Sequence, residues 1–139
     1  MFAACTVNLP STKPKTTGGY SRLRAAIGNS CAGLWHAITS DTAIRQELVA
    51  LAVLVPISAL LPVSDLEHLM LVLSMMLVVL VEFVNSAIES TIDRISTQPH
   101  PVAGQAKDLA SAAVLIAVLM SGLCWVVIAG PVALRWFRG

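Results

Sequence analysis

The sequence predicts an all-α integral membrane protein with three transmembrane helices, preceded by an amphipathic surface helix. Three observations lead to this fold class: hydrophobic residues make up 56% of the chain, charged residues make up only 12%, and three long apolar stretches follow one another. An average soluble protein has about 25% charged residues, so this chain is unusually poor in charge. The net charge of +1 argues against a nucleic-acid-binding protein.

Two segments precede the first apolar stretch. Residues 1–19 are rich in Thr, Pro, Gly and Lys and are therefore predicted to form a mobile tail. They lack the apolar core of a signal peptide, so no cleavage is expected. In residues 20–40, apolar side chains recur at steps of three and four, namely at Ile27, Cys31, Leu34, Trp35 and Ile38. This period is typical of a helix with one apolar face. We expect the helix to lie in the membrane interface; an ordinary bundle helix is the alternative.

A single membrane domain is predicted over residues 20–139, with spans at about 41–63, 67–95 and 105–134. Crossing a bilayer requires about 20 predominantly apolar residues in a helix, and each span reaches that length. Ser40 or Asp41 is expected to cap the first span, because its side chain can accept hydrogen bonds from free N–H groups. The polar stretch at 93–108 is predicted to be a long loop between the second and third spans.

The distribution of Lys and Arg predicts the orientation of the chain. Five basic residues precede Leu48, where the apolar part of the first span starts, and two lie in the second loop, whereas two follow the last span. Cytoplasmic segments of membrane proteins are enriched in Lys and Arg. The N-terminus and the second loop are therefore predicted to be cytoplasmic, and a nucleotide would bind from that side.

Polar side chains interrupt the second span, in the stretch VVLVEFVNSAIESTIDRI at residues 78–95. Because each helical residue advances by about 100°, one helix face carries Glu82, Asn85, Ser86, Glu89 and Asp93, here called the polar face. A charge at bilayer depth costs roughly 2.5 kcal/mol or more, so this face is expected to meet a partner, water or a cation. A hydrogen-bonded seam that fixes helix register is the structural alternative.

Carboxylates on neighbouring helices can bind Mg2+ through oxygen, and Mg2+ bridges nucleotide phosphates in phosphoryl transfer. Lys107, at the start of the third span, is a cation suited to hold phosphates. The sequence contains no P-loop, GxGxxG, HExxH or GxSxG motif, so any nucleotide site must be of another kind. The residues alone leave open both an enzyme and an ion path.

Several stretches resemble the small prokaryotic diacylglycerol kinases. The similar stretches are VEFVNSAIESTIDRI, GYSRLRAA, AIRQE and GQAKDLASAAVLIA, with a Trp in the last span, and they cover roughly residues 20 to 130. The resemblance implies a homotrimer in the bacterial inner membrane, with three spans, a surface helix, and active sites shared between subunits. It also implies that Mg-ATP is used to phosphorylate diacylglycerol to phosphatidic acid.

The resemblance further implies a role for individual residues. Glu82 would be the general base that takes the proton of the lipid hydroxyl, Asp41 and Glu89 would bind the metal, and Asp93 would support the polar face. Arg22 would contact the lipid together with Glu82. The ATP contacts would be Arg22, Asn29, Asp41, Asn85, Glu89, Gln98, Pro99, His100, Lys107 and Asp108.

The chain departs from the family pattern at three positions. Asp41 stands where Glu is usual, Asn29 where many members have an aromatic residue that contacts the nucleotide, and Trp35 where a basic residue is common. These departures concern metal and nucleotide affinity. An undecaprenol kinase is the alternative within the class, although IRQE and AKDLASAAVLIA favour diacylglycerol. From other classes, an ion- or proton-conducting oligomer or a purely structural bundle would also explain the polar face.

Overall fold

A computed structural model describes residues 18–95 and 100–138. These residues form four α-helices: α1 (Gly19–Ser40), α2 (Thr42–Leu60), α3 (Asp65–Ile95) and α4 (Pro101–Arg138). No strand occurs in the described ranges. Helices α2, α3 and α4 are each long and apolar enough to cross a membrane. The predicted all-α fold with three spans is therefore confirmed.

The chain forms two compact units, Met1–Trp35 and His36–Gly139. The first unit is described from Gly18 and contains most of α1, the predicted surface helix, which begins at Gly19. The second unit contains the last turn of α1 and all three spans. The predicted tail, apart from its last two residues, lies outside the described residues.

Helix α2 begins at a side-chain cap and ends before a proline. Asp41 has an extended backbone (φ −106°, ψ 123°), and its Oδ1 accepts hydrogen bonds from the backbone N–H groups of Ala43 at 2.8 Å and Ile44 at 3.4 Å. The predicted cap at Asp41 is thus confirmed. The helix ends at Leu60, earlier than predicted, and Leu61 is extended, since a following proline disfavours the helical backbone.

Helix α3 begins at Asp65, two residues earlier than predicted, with a capping box. Glu67 Oε2 accepts hydrogen bonds from the backbone N–H and the hydroxyl of Ser64, both at 2.7 Å, and the Glu67 N–H lies 3.4 Å from Ser64 Oγ. Such reciprocal bonds satisfy backbone donors that the helix itself leaves free. The carboxylate of Glu67 therefore helps to start the helix through its Oε2 atom.

Helix α4 begins at Pro101, and the predicted long loop is therefore wrong in extent. Helix α3 extends to Ile95, and α4 begins four residues before the predicted start of the third span at about 105. Proline at the first helical position lacks only a donor that has no helical partner there. The Nδ1 atom of His100 accepts a hydrogen bond from the Val102 N–H at 3.3 Å. A local cap at His100 thus shortens the connection between the two helices.

Helix α3 is the central span, and both α2 and α4 pack against it. The fully buried side chains are few, and the largest are Ile44, Leu71 and Val132. The hydroxyl groups of Ser74 and Ser121 lie 3.3 Å apart and join α3 to α4. Many large apolar side chains of the spans are exposed, as Leu80 is at 60%. A helix that is apolar on its outer surface suits a lipid environment.

Candidate active site

Four residues of the polar face of α3 (Glu82, Asn85, Ser86 and Glu89) are buried or half-buried, whereas Asp93 at its end is exposed. Glu82 and Asn85 are 6% and 8% exposed, and Glu89 is half-buried. The side-chain amide of Asn85 donates a hydrogen bond to Glu89 Oε1 at 3.2 Å, and Asn85 also interacts with the Glu82 carboxyl group. The prediction that these residues share one face is confirmed by these contacts. Asn85 thus interacts with both carboxyl groups and is hydrogen-bonded to that of Glu89.

The start of α2 is joined to this face by a single hydrogen bond. The hydroxyl of Ser86 donates to Asp41 Oδ2. This bond, followed by the backbone N–H groups of Ala43 and Ile44, lowers the pKa of the Asp41 carboxyl below its usual value. A carboxylate whose charged form accepts several hydrogen bonds stays ionised. Asp41 is thus a fixed negative charge at the contact between α2 and α3.

A second carboxylate of α2, that of Glu47, adds to the negative charge of the site. Glu47 interacts electrostatically with Glu82 and Asp41, and Glu82 interacts in the same way with Asp41 and Glu89. All four carboxyl groups belong to two neighbouring helices. Gathering like charges in a poorly hydrated place is unfavourable unless a cation, a proton or a donor enters. The geometry therefore favours a site that receives a positively charged or proton-bearing ligand.

Four buried polar side-chain atoms have no hydrogen-bond partner within the described ranges. These atoms are Glu47 Oε2, Asn85 Oδ1, Trp125 Nε1 and His68 Nδ1. Most buried polar atoms in proteins are paired, so each exception requires an explanation. Glu47 and Asn85 belong to the carboxylate cluster, whereas His68 lies near the opposite end of α3. The unpaired oxygens of the cluster are free to bind a ligand.

An apolar cavity of about 450 Å³ adjoins Glu47. Its lining comes from one face of each span: Glu47, Ala50 and Leu54 of α2, Met75, Val78 and Val79 of α3, and Val118, Ser121, Gly122 and Trp125 of α4. Ligand cavities typically have volumes of about 300–1,000 Å³ and are lined mainly by apolar side chains with a few polar groups. Glu47 and Trp125 are both in this lining and each has an unpaired atom. The cavity suits a mainly apolar ligand with a polar end.

The cationic side chain predicted to hold phosphates is paired with a carboxylate of the polar face. Lys107 Nζ lies 2.5 Å from Asp93 Oδ1, joining the first turns of α4 to the last turn of α3. Asp93 is exposed, as is the neighbouring Asp108. An exposed ion pair contributes about 0–1 kcal/mol. Lys107 can therefore exchange Asp93 for a phosphate at little cost in free energy.

Five further residues were predicted to contact ATP: Arg22, Asn29, Gln98, Pro99 and His100. Arg22 and Asn29 lie in the first unit, and Gln98 and Pro99 lie outside the described residues. His100 is exposed and forms the local cap of α4. The geometry of the site thus rests on residues of α2, α3 and α4.

The oxygen atoms of the site suit Mg2+ bound together with phosphate. Within residues 18–95 and 100–138, no group of three or more His, Cys, Asp or Glu side chains forms a metal cage. Mg2+ in nucleotide enzymes commonly binds one or two carboxylates and completes its shell with water and phosphate oxygens. Asp41 and Glu89 provide carboxylates, and the unpaired Asn85 Oδ1 is a further oxygen beside Glu89. The residues present fit that mode of binding.

Sequence reasoning gave no specific role to three residues that the structure brings to this site. Glu47 was noted only as part of the AIRQE stretch, Trp125 only as the Trp of the last span, and Ser86 only as a member of the polar face. A signal for Ser86 was present in its angle, about 40° from Glu82 on the helix. Glu47 and Trp125 had no such signal, because their helices are nearly uniformly apolar and do not reveal which face is turned inward.

The fold and the site define an integral membrane protein with a carboxylate-rich site between its spans. Comparison with known proteins identifies its family: the sequence model of the prokaryotic diacylglycerol kinases matches residues 28–129. The diacylglycerol kinase of Escherichia coli (strain K12) is 42% identical over 112 residues, which cover 81% of this chain and 92% of that protein.

Two further relatives show similar agreement. The diacylglycerol kinase of Haemophilus influenzae is 37% identical over 111 residues, covering 80% of this chain and 93% of the relative. That of Pseudomonas aeruginosa is 38% identical over 110 residues, covering 79% and 89%. The chain therefore belongs to the prokaryotic diacylglycerol kinase family, and it is a membrane-bound kinase.

Proposed function

We propose that the protein transfers the γ-phosphoryl group of ATP to the free hydroxyl of diacylglycerol, yielding phosphatidic acid and ADP. Diacylglycerol is the acceptor that the family and the names of its relatives favour, ahead of undecaprenol and of an ion path. One structural observation carries the assignment of residues. Glu47 interacts electrostatically with Glu82 and lines an apolar cavity in which two buried atoms, Glu47 Oε2 and Trp125 Nε1, lack partners.

The acceptor lipid has the groups that this cavity lacks. Diacylglycerol combines an apolar body with one hydroxyl, which donates a hydrogen bond, and two ester carbonyls, which accept. Glu47 Oε2 is an unpaired acceptor and Trp125 Nε1 an unpaired donor. The hydroxyl end would lie at Glu47 and Glu82, an ester oxygen would accept from Trp125, and the apolar body would fill the cavity. Both buried atoms would then be paired, as buried polar atoms normally are.

Glu82 is proposed as the general base of the transfer. Its buried carboxylate, oriented by Asn85, would take the proton of the lipid hydroxyl as the hydroxyl oxygen bonds to the γ-phosphorus. The bond from that phosphorus to the bridging oxygen breaks, and ADP leaves with the electron pair. A positioned general base typically accelerates a reaction by about 10²–10⁴-fold. Glu47 would hold the hydroxyl in position and restrict its rotation.

Asp41 and Glu89 are proposed to hold Mg2+, with Asn85 Oδ1 beside them. When bound, Mg2+ neutralises phosphate charge and aligns the transferred group. Ser86 fixes the Asp41 carboxylate against α3, and Lys107 would move from Asp93 to the phosphates, next to Asp108. For Arg22, Asn29, Gln98, Pro99 and His100, contact with ATP stays a prediction from the resemblance.

The proposed setting is a homotrimer in the bacterial inner membrane, with the site at the cytoplasmic side. The excess of Lys and Arg before the first span and around the second loop supports this orientation. The trimer is proposed from the resemblance to the family.

The test is Mg-ATP-dependent phosphate transfer by the intact protein in mixed micelles, with diacylglycerol and undecaprenol assayed in parallel. We expect phosphatidic acid as the main product, and loss of transfer in Glu89→Gln that added Mg2+ partly restores. Transfer to undecaprenol alone would change the acceptor and keep the chemistry. Absence of transfer to either lipid by the folded protein would overturn the proposal, and ion flux would then be measured in liposomes.

A further inference from the structure

The apolar cavity has one wall without a side chain. On α4 its lining residues Val118, Ser121, Gly122 and Trp125 follow one another at helical spacing. A Cβ atom placed on Gly122 would meet no other atom within 4 Å. Gly122 is exposed and belongs to the lining, so a side chain at position 122 would start in open space at the cavity wall without displacing a neighbour at its Cβ.

The other walls are less adjustable. Met75 and Val78 of α3 are buried in the packing of the spans, at 9% and 8% exposure, so their side chains are fixed by contacts on several sides. Ser121 is likewise buried and lies against Ser74. Closely packed interiors leave little freedom for such groups to move. Compared with these three buried residues, Gly122 is the position at which a larger side chain changes the cavity volume most directly.

The chemistry of the lining indicates a lipid as the occupant. Glu47 needs a donor and Trp125 needs an acceptor, and both residues line the same apolar cavity. The apolar surface of a helix from a second copy would cover the cavity and leave both atoms unpaired, which is costly in an apolar environment. A diacylglycerol supplies a hydroxyl, ester oxygens and an apolar body in one molecule.

We propose that Gly122 is a specificity-determining residue, which sets how much acyl chain the cavity accepts from the lipid substrate. This inference rests on the proposed function, because it takes diacylglycerol as the molecule in the cavity. Gly122 touches neither the reacting hydroxyl nor the phosphates in this arrangement. A larger side chain at position 122 therefore acts on lipid binding and leaves the chemical step and the nucleotide site unchanged.

The experiment compares a graded series, Gly122→Ala, Gly122→Val and Gly122→Leu, in the intact protein. KM and kcat are measured with dioctanoylglycerol and dioleoylglycerol in mixed micelles, and KM for Mg-ATP is measured alongside. Gly130→Leu is the matched control, since Gly130 also lies in α4 with open space at its Cβ and is not in the cavity lining. Replacing glycine within a helix raises helix propensity at both positions, so all variants are expected to fold.

The expected result is a KM for dioleoylglycerol that rises with side-chain size, by about tenfold in Gly122→Leu, since even one methylene in an apolar pocket changes discrimination about 10–200-fold. In Gly122→Leu, the KM values for dioctanoylglycerol and for Mg-ATP should change little. In the control Gly130→Leu, these KM values should change little as well. The proposal is overturned if the ratio of the two lipid KM values in Gly122→Leu equals that of the wild-type protein. It is also overturned if light scattering shows a changed oligomeric mass while the KM ratio stays the same. If the wild-type protein phosphorylates neither diacylglycerol, the proposed function is overturned as well. This failure is detected with the wild-type protein alone, before any variant is made, and is therefore distinguishable from failure of the Gly122 proposal.

Discussion

Two regions of α3 use carboxylates in opposite ways. At the start of the helix, Glu67 accepts two hydrogen bonds from Ser64, both at 2.7 Å, and closes a capping box. Further along, Glu82 is buried among other carboxylates, and Glu47 beside it has an oxygen without a partner. The same chemical group is therefore satisfied within the protein at one place and left in need of a ligand at the other.

The contrast separates a structural role from a functional one. The Glu67 carboxylate adds to the stability of the helix, because it binds donors that the backbone leaves free. The carboxylates around Glu82 lower the stability of the folded chain, since like charges are held together away from bulk water. A protein retains such an arrangement where a substrate or a cation completes it. Substitutions at the two regions should consequently have opposite effects on activity and on stability.

The largest effect is expected from Glu82→Gln. Removing the proposed base should lower kcat for phosphate transfer by about 10²–10⁴-fold. The free energy of unfolding should stay the same or rise, because one buried like charge is removed. Transfer assays and denaturation in the same detergent check both parts. Glu82→Gln with wild-type transfer would show that the cluster has no catalytic role.

The next effect concerns the lipid. Glu47→Gln should raise KM for diacylglycerol by about tenfold, because a hydrogen bond to a charged group contributes about 1.5–3 kcal/mol. The KM for Mg-ATP should change much less. The neighbouring Gln46, which is exposed, offers a control in Gln46→Ala. An effect of Glu47→Gln on nucleotide and lipid alike would indicate a general disturbance of the site.

Asp41 combines both kinds of role, and two substitutions separate them. Asn caps a helix about as well as Asp, whereas Ala at the cap costs about 0.5–2 kcal/mol. Asp41→Asn should therefore keep the free energy of unfolding and weaken metal binding, while Asp41→Ala should lower both. Mn2+ binding, measured by electron paramagnetic resonance with ATP present, reports the metal without relying on turnover. If Asp41→Asn binds Mn2+ with wild-type affinity, Asp41 acts only as a helix cap and not as a metal ligand.

The smallest effect is expected at the capping box. Glu67→Gln should lower the free energy of unfolding by about 1 kcal/mol or less, since a neutral amide accepts hydrogen bonds from Ser64 more weakly than a carboxylate does. Its kcat and both KM values should match those of the wild-type protein. Chemical denaturation combined with the transfer assay measures this pair of quantities.

Much of the fold follows from simple patterns in the sequence. The three spans were predictable from apolar length, the cap at Asp41 from the side-chain chemistry, and the polar face from helical spacing. The short length of the connection between α3 and α4 was not predictable, because the many polar residues in this stretch suggested a long loop. The proline at position 101 and the cap at His100 instead let α4 begin early.

The candidate site could be predicted only in part. The residues of one helix, Glu82, Asn85 and Glu89, could be grouped by their angles around the helix axis. Contacts between helices depend on how the spans rotate against one another, which uniform apolar sequences do not specify. The hydrogen bond from Ser86 to Asp41, the proximity of Glu47 to Glu82 and the burial of Trp125 all depend on that rotation.

The most direct test of the central claim measures diacylglycerol phosphorylation and the free energy of unfolding on the same preparations of Glu82→Gln and Glu67→Gln. We predict opposite outcomes for the two variants. Glu82→Gln should lose phosphate transfer and keep or gain stability. Glu67→Gln should keep phosphate transfer and lose a little stability. If Glu82→Gln remains active, or if Glu67→Gln abolishes transfer while folded, the distinction between satisfied and unsatisfied carboxylates does not identify the active site.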